Sequence, residues 1–314
     1  MSAPLRIVYF GTPEFAVPAL ERLLASPHHV VGVVTQPDRR RGRGQKTSDS
    51  PVKARAVAAG IPVLQPERLK DPAFMPALSE LRPDLGVVAA YGKILTDEVL
   101  AAPPLGLINI HASLLPKYRG AAPVHRAIIA GETMTGVTIM RVVKALDAGP
   151  ILAIAERRIG PDETSLDVER ALAILGAELL IPTIDTMESG FINETPQDDE
   201  SATYAHRLKK EDGLVDWTRP ALEIRNLIRG LHPWPHAYTF LRGKRVILLR
   251  AIASGEQPRE QPGTVVQAQN GRLAIAAGDG VVDIGELQAE GSRAMSAREF
   301  LAGHHLAPGD RAGT

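Results

Sequence analysis

Long apolar runs alternating with helix-forming stretches are the strongest constraint in the first two-thirds of this 314-residue chain. The runs "LRIVYF", "VVGVVTQ", "DLGVVAAYG" and "GLINIH" contain almost no polar alternation. Strands of that kind are covered on both faces, as in parallel sheets flanked by helices. Gly11 ends the first run, and "TPEFAVPALERLLAS" follows with Thr12 placed to cap a helix and Pro13 at its first position. Ser50 and Pro51 open a second helix that Gly60 closes. Two further strand candidates, "GVTIMRV" and "GPILAIAERRI", precede a long helix expected from about Ser165 to Glu188. This rhythm predicts an α/β domain over residues 1–190, with a parallel sheet and right-handed crossovers.

The pattern then changes. Residues 191–206, "FINETPQDDESATYAH", are polar and acidic with no usable apolar period, and are expected to link two domains. Beyond a helix near 220–230 come "AYTFLRG", "KRVILLRA", "GTVVQA", "RLAIAAG" and "GVVDIGELQ", separated by Gly, Pro and Asn. Short strands at this spacing predict a small β-barrel over residues 207–314. A chain of this length carries a prior of roughly two domains, in agreement.

Composition excludes several function classes. With no cysteine, a disulfide framework, a cysteine metal site and a thiol nucleophile are all ruled out. The histidines lack a ligand spacing such as H-E-x-x-H, so no metal is expected. No apolar stretch reaches the roughly 20 residues that span a bilayer, and the N-terminus shows no targeting pattern. A cytoplasmic protein with no membrane partner is therefore expected; a monomer is also expected, although nothing in the composition or the motifs sets the oligomeric state. The formal net charge is zero, which argues against indiscriminate coating of nucleic acid. Residues 201–314 nevertheless carry 15 Lys and Arg against 12 Asp and Glu.

The segment "LINIHASLLPKYRG" concentrates the chemistry. Asn109 and His111 stand two apart on a strand and so share a face. An amide donates to an oxyanion, and an imidazole donates or handles a proton near neutral pH. Asp147, in "KALDAGPIL" at a turn between two predicted strands, supplies a carboxylate to polarise the imidazole. Taken singly, a strand-end histidine is more often structural and a turn aspartate usually caps the backbone. Together with the stiff loop Ser113, Leu114, Leu115, Pro116, they favour a site. That loop suits a flat heteroaromatic ring hydrogen-bonded at its edges, and "AAYGKIL", with Tyr91, is expected to form the opposite wall. A basic, glycine-hinged loop, "QPDRRRGRGQK", follows the second strand with Arg39, Arg40, Arg41, Arg43 and Lys46. Over a cleft it would close on a phosphate backbone. No G-x-G-x-x-G or Walker A pattern occurs, which disfavours a dinucleotide-dependent oxidoreductase.

"NIHASLLPKYRGAAPVHRAI" and "LDAGPIL" resemble the signatures of the 10-formyltetrahydrofolate-dependent formyltransferases. "FGTPEFAVPALERLL", "VVTQPDRRRGRGQKTSDSPVK", "LKKEDGLVDW" and "HPWPHAY" extend the likeness along the chain, toward the branch that acts on methionyl initiator tRNA. The resemblance implies a Rossmann-like catalytic domain followed by an OB-like domain. It implies formyl transfer from 10-formyltetrahydrofolate, as co-substrate, to the α-amino group of methionine on initiator tRNA. Carried over by position, Asn109, His111 and Asp147 are the catalytic trio and Ser113–Pro116 the folate loop. Arg43 matches the position that reaches toward the tRNA acceptor end. Arg39 and Lys46 beside it, with Lys209, Lys210 and Arg245 of the second domain, are further expected tRNA contacts. Ala112 replaces a glycine common in the family, and Arg40 and Arg41 make the loop more basic than usual. Relatives that formylate a small amine, such as an amino-sugar nucleotide, share the trio and folate loop. They lack the basic loop in combination with this C-terminal domain. A non-catalytic folate- or RNA-binding protein would have no need of the trio.

Overall fold

The computed structural model describes residues 4–41 and 46–313. Its first compact unit comprises Met1–Pro123, Met134–Arg157 and Glu169–Ala205; its second comprises Val124–Thr133, Arg158–Val168 and His206–Thr314.

The apolar runs of the first unit become strands β1 (Arg6–Gly11), β2 (His29–Val34), β3 (Val63–Leu64), β4 (Leu85–Ala89) and β5 (Leu107–His111). They continue into β6 (Met134–Arg141) and β7 (Ile151–Arg158), and the sheet order is β7-β6-β5-β4-β1-β2-β3. Pairing is parallel among the first five, with Tyr9 opposite Val33 on one side and Val87 on the other. β6 runs antiparallel to β5. Ile7, Val8, Tyr9 and Phe10 are all fully buried, because helices cover both faces of this sheet centre. Burying each such side chain contributes about 1.5–3 kcal/mol.

Helix starts follow local chemistry in one case and not in another. Ser50 caps the helix Pro51–Ala58, its hydroxyl accepting from the Lys53 N–H at 3.1 Å. Thr12 does not cap a helix. A 3-10 turn, Glu14–Ala16, precedes the helix Val17–Leu24, and the Thr12 hydroxyl instead donates to the Tyr91 carbonyl at 3.3 Å. The tertiary partner outcompetes the local cap.

The second unit is built on an antiparallel sheet: β8 (Ala237–Leu241), β9 (Lys244–Ser254), β10 (Val265–Gln269), β11 (Arg272–Ala276), β12 (Val281–Ala289) and β13 (Ala312–Gly313). Its order is β10-β11-β12-β9-β8-β13. The ring of pairing closes where Val265 N–H donates to Asp310 and Ala312 N–H to Gly263. This is the OB-like barrel, and all five segments expected to be strands are strands in it.

Two segments of the second unit come from far upstream in the chain. Helix Pro123–Ile129 approaches Gly230 so closely that a Cβ there would lie 2.6 Å from Ile129 Cγ1. Arg126 donates to Asp212 at 2.7 Å, and Arg225 to Asp162 at 2.7 Å. These close approaches and charge pairs join sequence-distant pieces, and no local periodicity signals them. Residues 191–206 are likewise more than the expected linker. Thr195 and Ile151 exchange backbone hydrogen bonds at 2.9 and 2.8 Å, and Tyr204–Ala205 pairs in parallel with Arg119–Gly120. Polar and backbone contacts hold this stretch to the first unit, so the lack of an apolar period is misleading. Among the described residues, no helix is long and apolar enough to cross a membrane.

Candidate active site

β5 lies between β4 and β6, and its carboxyl end carries the two polar side chains. Open parallel sheets bind ligands at that edge. Asn109 is partly exposed, and its amide has no side-chain partner among the described residues. His111 is only 6% exposed. Its Nε2 lies 3.0 Å from the Tyr118 carbonyl oxygen. A carbonyl only accepts, so Nε2 carries the proton and the other ring nitrogen is left for chemistry. That nitrogen, Nδ1, faces the Asp147 carboxylate at 3.7 Å.

Asp147 sits between β6 and β7 in the left-handed region, at φ 47°, which aspartate tolerates better than most residues. A side chain at Gly149 would place its Cβ 1.9 Å from the Arg141 carbonyl oxygen, so the bend demands glycine there. The Asp147 carboxylate accepts from the Gly120 N–H at 2.8 Å. The carbonyls of Asp147 and Gly149 both accept from Gln197 Nε2, at 2.9 and 2.7 Å. The three expected residues are thus brought to one sheet end, with the carboxylate held beside the imidazole but outside hydrogen-bond reach.

The loop after β5 is stapled to β6. The Thr138 hydroxyl donates to the Ser113 carbonyl at 2.7 Å and accepts from the Leu115 N–H at 3.1 Å. Ser113 Oγ donates to the Lys117 carbonyl at 2.7 Å. The side chains of Ser113 and Leu115 are buried, whereas Leu114 and Pro116 keep part of their surface. The apolar surface that this loop offers a flat ring is therefore that of Leu114 and Pro116, with Leu115 turned into the interior. The Tyr91 ring is 2% exposed and packs edge-on against Phe10 at 5.6 Å. Burial pushes its phenol up to about 12. The ring thus belongs to the core rather than to an open wall. At the neighbouring strand ends, Thr12, Gln36, Asp38, Ser48, Ser50 and Ala90 line a cavity of about 270 Å3. Lys53, followed by Gln65, hydrogen-bonds Asp38 and holds its carboxyl below the usual range.

The basic segment is a short antiparallel ribbon, Arg39–Arg41 with Lys46–Ser48, rather than the expected irregular loop. Arg39 and Lys46 are located on its backbone; Arg43 lies outside the described residues. Lys209 and Lys210 are exposed in the second unit. Arg245, in the same unit, stacks its guanidinium 4.1 Å over the Tyr238 ring. A Cβ at Gly213 would touch that ring too, so the turn after Lys210 and Arg245 converge on Tyr238. Among the described residues no group of three His, Cys, Asp or Glu side chains is placed to hold a metal ion.

Gly120, Thr138, Arg119 and Gln197 were not singled out in the sequence. "YRG" directly after the loop was the available signal for the first, since a glycine there accompanies a strand-end turn. Gln197 had none, being one polar residue among many.

Family models for formyl transferase match residues 5–184, and those for the formyl transferase C-terminal domain match residues 207–305. The chain is 49% identical over 306 residues to a methionyl-tRNA formyltransferase of Caldanaerobacter subterraneus subsp. tengcongensis, covering 97% of this chain and 99% of that protein. It is 47% identical to a methionyl-tRNA formyltransferase of Geotalea daltonii, covering 98% of each. Among solved structures, the N-formyltransferase of Helicobacter canadensis, in complex with folinic acid and dTDP-3-aminofucose, has the same fold. It has a TM-score of 0.69 at 18% identity, covering 89% of this chain and 98% of that one. HypX from Aquifex aeolicus in complex with tetrahydrofolic acid gives a TM-score of 0.64 at 19% identity, covering 95% of this chain. This chain spans about half the length of that HypX chain, 47%.

Proposed function

The chain belongs to the formyl transferase family, and from that we propose that it moves the formyl group of 10-formyltetrahydrofolate onto the α-amino group of methionine carried by initiator tRNA. The observation that carries this reading is the convergence of Asn109, His111 and Asp147 beside a stapled 113–116 loop. It occurs in a chain 49% identical over nearly its full length to a relative named for that reaction. Against the small-amine alternative, the two relatives named above, at 49% and 47% identity over nearly the whole chain, are both named for the tRNA reaction.

The residues present fit the formyl donor. The carbonyl of Ser113 and the N–H of Leu115 are engaged by Thr138, which holds the loop rigid, while Leu114 and Pro116 retain apolar surface for a flat ring. As the amine adds to the formyl carbon, the Asn109 amide donates to the oxygen on which charge grows; one such donor is worth about 2.7–4 kcal/mol. The Tyr118 carbonyl fixes the proton on His111 Nε2, so Nδ1 accepts the proton that the amine must lose, directly or through a water. The Asp147 carboxylate stabilises the imidazolium so formed, which returns the proton to N10 of the donor as the oxyanion re-forms its carbonyl, the bond from the formyl carbon to N10 breaks, and tetrahydrofolate leaves. A free α-amino group has a pKa of about 7.7–8.0, so a base is required at neutral pH. The barrel unit, through Lys209, Lys210 and Arg245, holds the tRNA body, and the basic ribbon addresses its acceptor end. Both partners belong to the cytoplasm, where translation starts.

Formyl transfer with methionyl initiator tRNA and an amino-sugar nucleotide offered as competing acceptors tests the reading. Product on the tRNA alone is expected; product on the sugar would overturn the acceptor assignment. His111→Ala should lower kcat well beyond tenfold, and a smaller loss would remove His111 from the mechanism.

A further inference from the structure

We infer that Gln197, oriented by Arg119, is a positioning residue that sets the Asp147 carboxylate relative to His111. The inference rests on the reading of Asp147 given above, and it concerns residues outside the trio and the loop.

The Gln197 amide is used at every polar atom. Its Oε1 accepts from Arg119 Nε at 3.0 Å and from a terminal Arg119 nitrogen at 2.8 Å. That fork can meet only an oxygen, so Nε2 must face the other way. There it gives its hydrogens to the carbonyls of Asp147 and Gly149, at 2.9 and 2.7 Å. Clamping the Asp147 and Gly149 carbonyls together fixes the peptide plane that leaves the left-handed Asp147 and the one that follows Gly149, and so holds the turn that sets the direction of the Asp147 Cα–Cβ bond. Arg119 is 3% exposed and is itself anchored by Asp199 at 2.7 Å.

The next residue acts on the same turn from the other end. Gly120 N–H holds the Asp147 carboxylate while the Arg119 side chain, through Gln197, holds the Asp147 backbone. One dipeptide therefore grips both ends of the aspartate. The separation from His111 Nδ1, 3.7 Å, is the quantity this grip controls. Misplacement of a reacting group by an ångström costs on the order of 100-fold in rate.

The test is a double-mutant cycle of Gln197→Ala with Asp147→Asn, read as kcat, KM for each substrate, and melting temperature. Gln197→Ala is expected to lower kcat about 10- to 100-fold with both KM values nearly unchanged. In the Asp147→Asn background the same change should cost less than about twofold, because the group being positioned is already lost. A kcat within about twofold of the parent for Gln197→Ala alone would overturn the inference. So would an equal loss in both backgrounds, which marks a general structural role. If Asp147→Asn itself keeps full activity, the reading of Asp147 fails first, and that result is distinguishable. Gln197→Met, similar in length but without hydrogen bonds, is read the same way should the alanine variant not fold. Failure of both to fold would assign Gln197 to stability and overturn the inference.

Discussion

The backbone N–H of Gly120 donates to the Asp147 carboxylate at 2.8 Å, from a residue whose backbone only glycine adopts without strain. Gly120 has φ 120°, and a Cβ there would lie 2.8 Å from the Ala205 carbonyl oxygen. Gly120→Ala should therefore destabilise the fold by about 1–3 kcal/mol. It should also lower kcat at temperatures where the variant is fully folded, because the collision displaces the donor to Asp147. Urea unfolding and steady-state rates measured side by side check this. A destabilised variant with parental kcat would show that the contact does not govern the chemistry.

Thr138→Val keeps shape and removes a hydroxyl that bridges Ser113 and Leu115. It leaves a buried carbonyl and N–H unpaired, at about 1–3 kcal/mol. The loop loosens, and the KM for the formyl donor is expected to rise several-fold while the tRNA KM holds. Equal changes in both KM values would contradict a loop that serves the donor.

Burial, with Arg126 as the second cause, pushes the His125 imidazole down from 6.5 to about 4. The unfolded chain takes up this proton near 6.5 and the folded chain only near 4. Between those values the unfolded state binds more protons, so stability falls as the pH falls through the window and is fully present above it. The contribution is at most about 1.4 kcal/mol per pH unit. His125→Gln should flatten the dependence between pH 7 and pH 5 in urea titrations. An unchanged slope would place the acid sensitivity in other groups.

Lys209 and Lys210 are exposed in the barrel unit. If each meets a phosphate, Lys209→Ala and Lys210→Ala should each reduce the slope of log affinity against log salt by about 0.7–0.9. The KM for the formyl donor should not move. Filter binding of tRNA over a salt series measures it, and unchanged slopes would take these lysines out of the interface. Point variants suit this question better than truncation at residue 205. Such a truncation would leave Val124–Thr133 and Arg158–Val168 without the rest of their unit.

What could be read from the sequence follows a physical divide. The buried strands were legible because two-sided burial writes itself as continuous apolar runs, as in Ile7 to Phe10. The barrel strands were legible through their turn residues. Asn109 and His111 were visible because polar side chains at the end of a buried strand break that pattern. Asp147 was visible through the glycine and proline that follow it. Gln197 was not, because a side chain that works by two hydrogen bonds to distant carbonyls leaves no periodic trace. Thr12 misled for a related reason, its hydroxyl being drawn to Tyr91 across 79 residues rather than to its own helix. Tyr91 misled because proximity in sequence to the strand end says nothing of which way the ring turns. Its ring turns toward Phe10.

The stretch that completes the Asp147 turn lies between residues 197 and 205, after the chain has already passed into the second unit twice and returned. On a ribosome the strand with His111 emerges long before the glutamine that fixes its aspartate partner. A nascent chain therefore carries His111 without a set Asp147 until nearly two-thirds of the polypeptide has been made. If Asp147 and Gln197 act as proposed, catalytic competence arrives late in translation, and a chain released early would lack it.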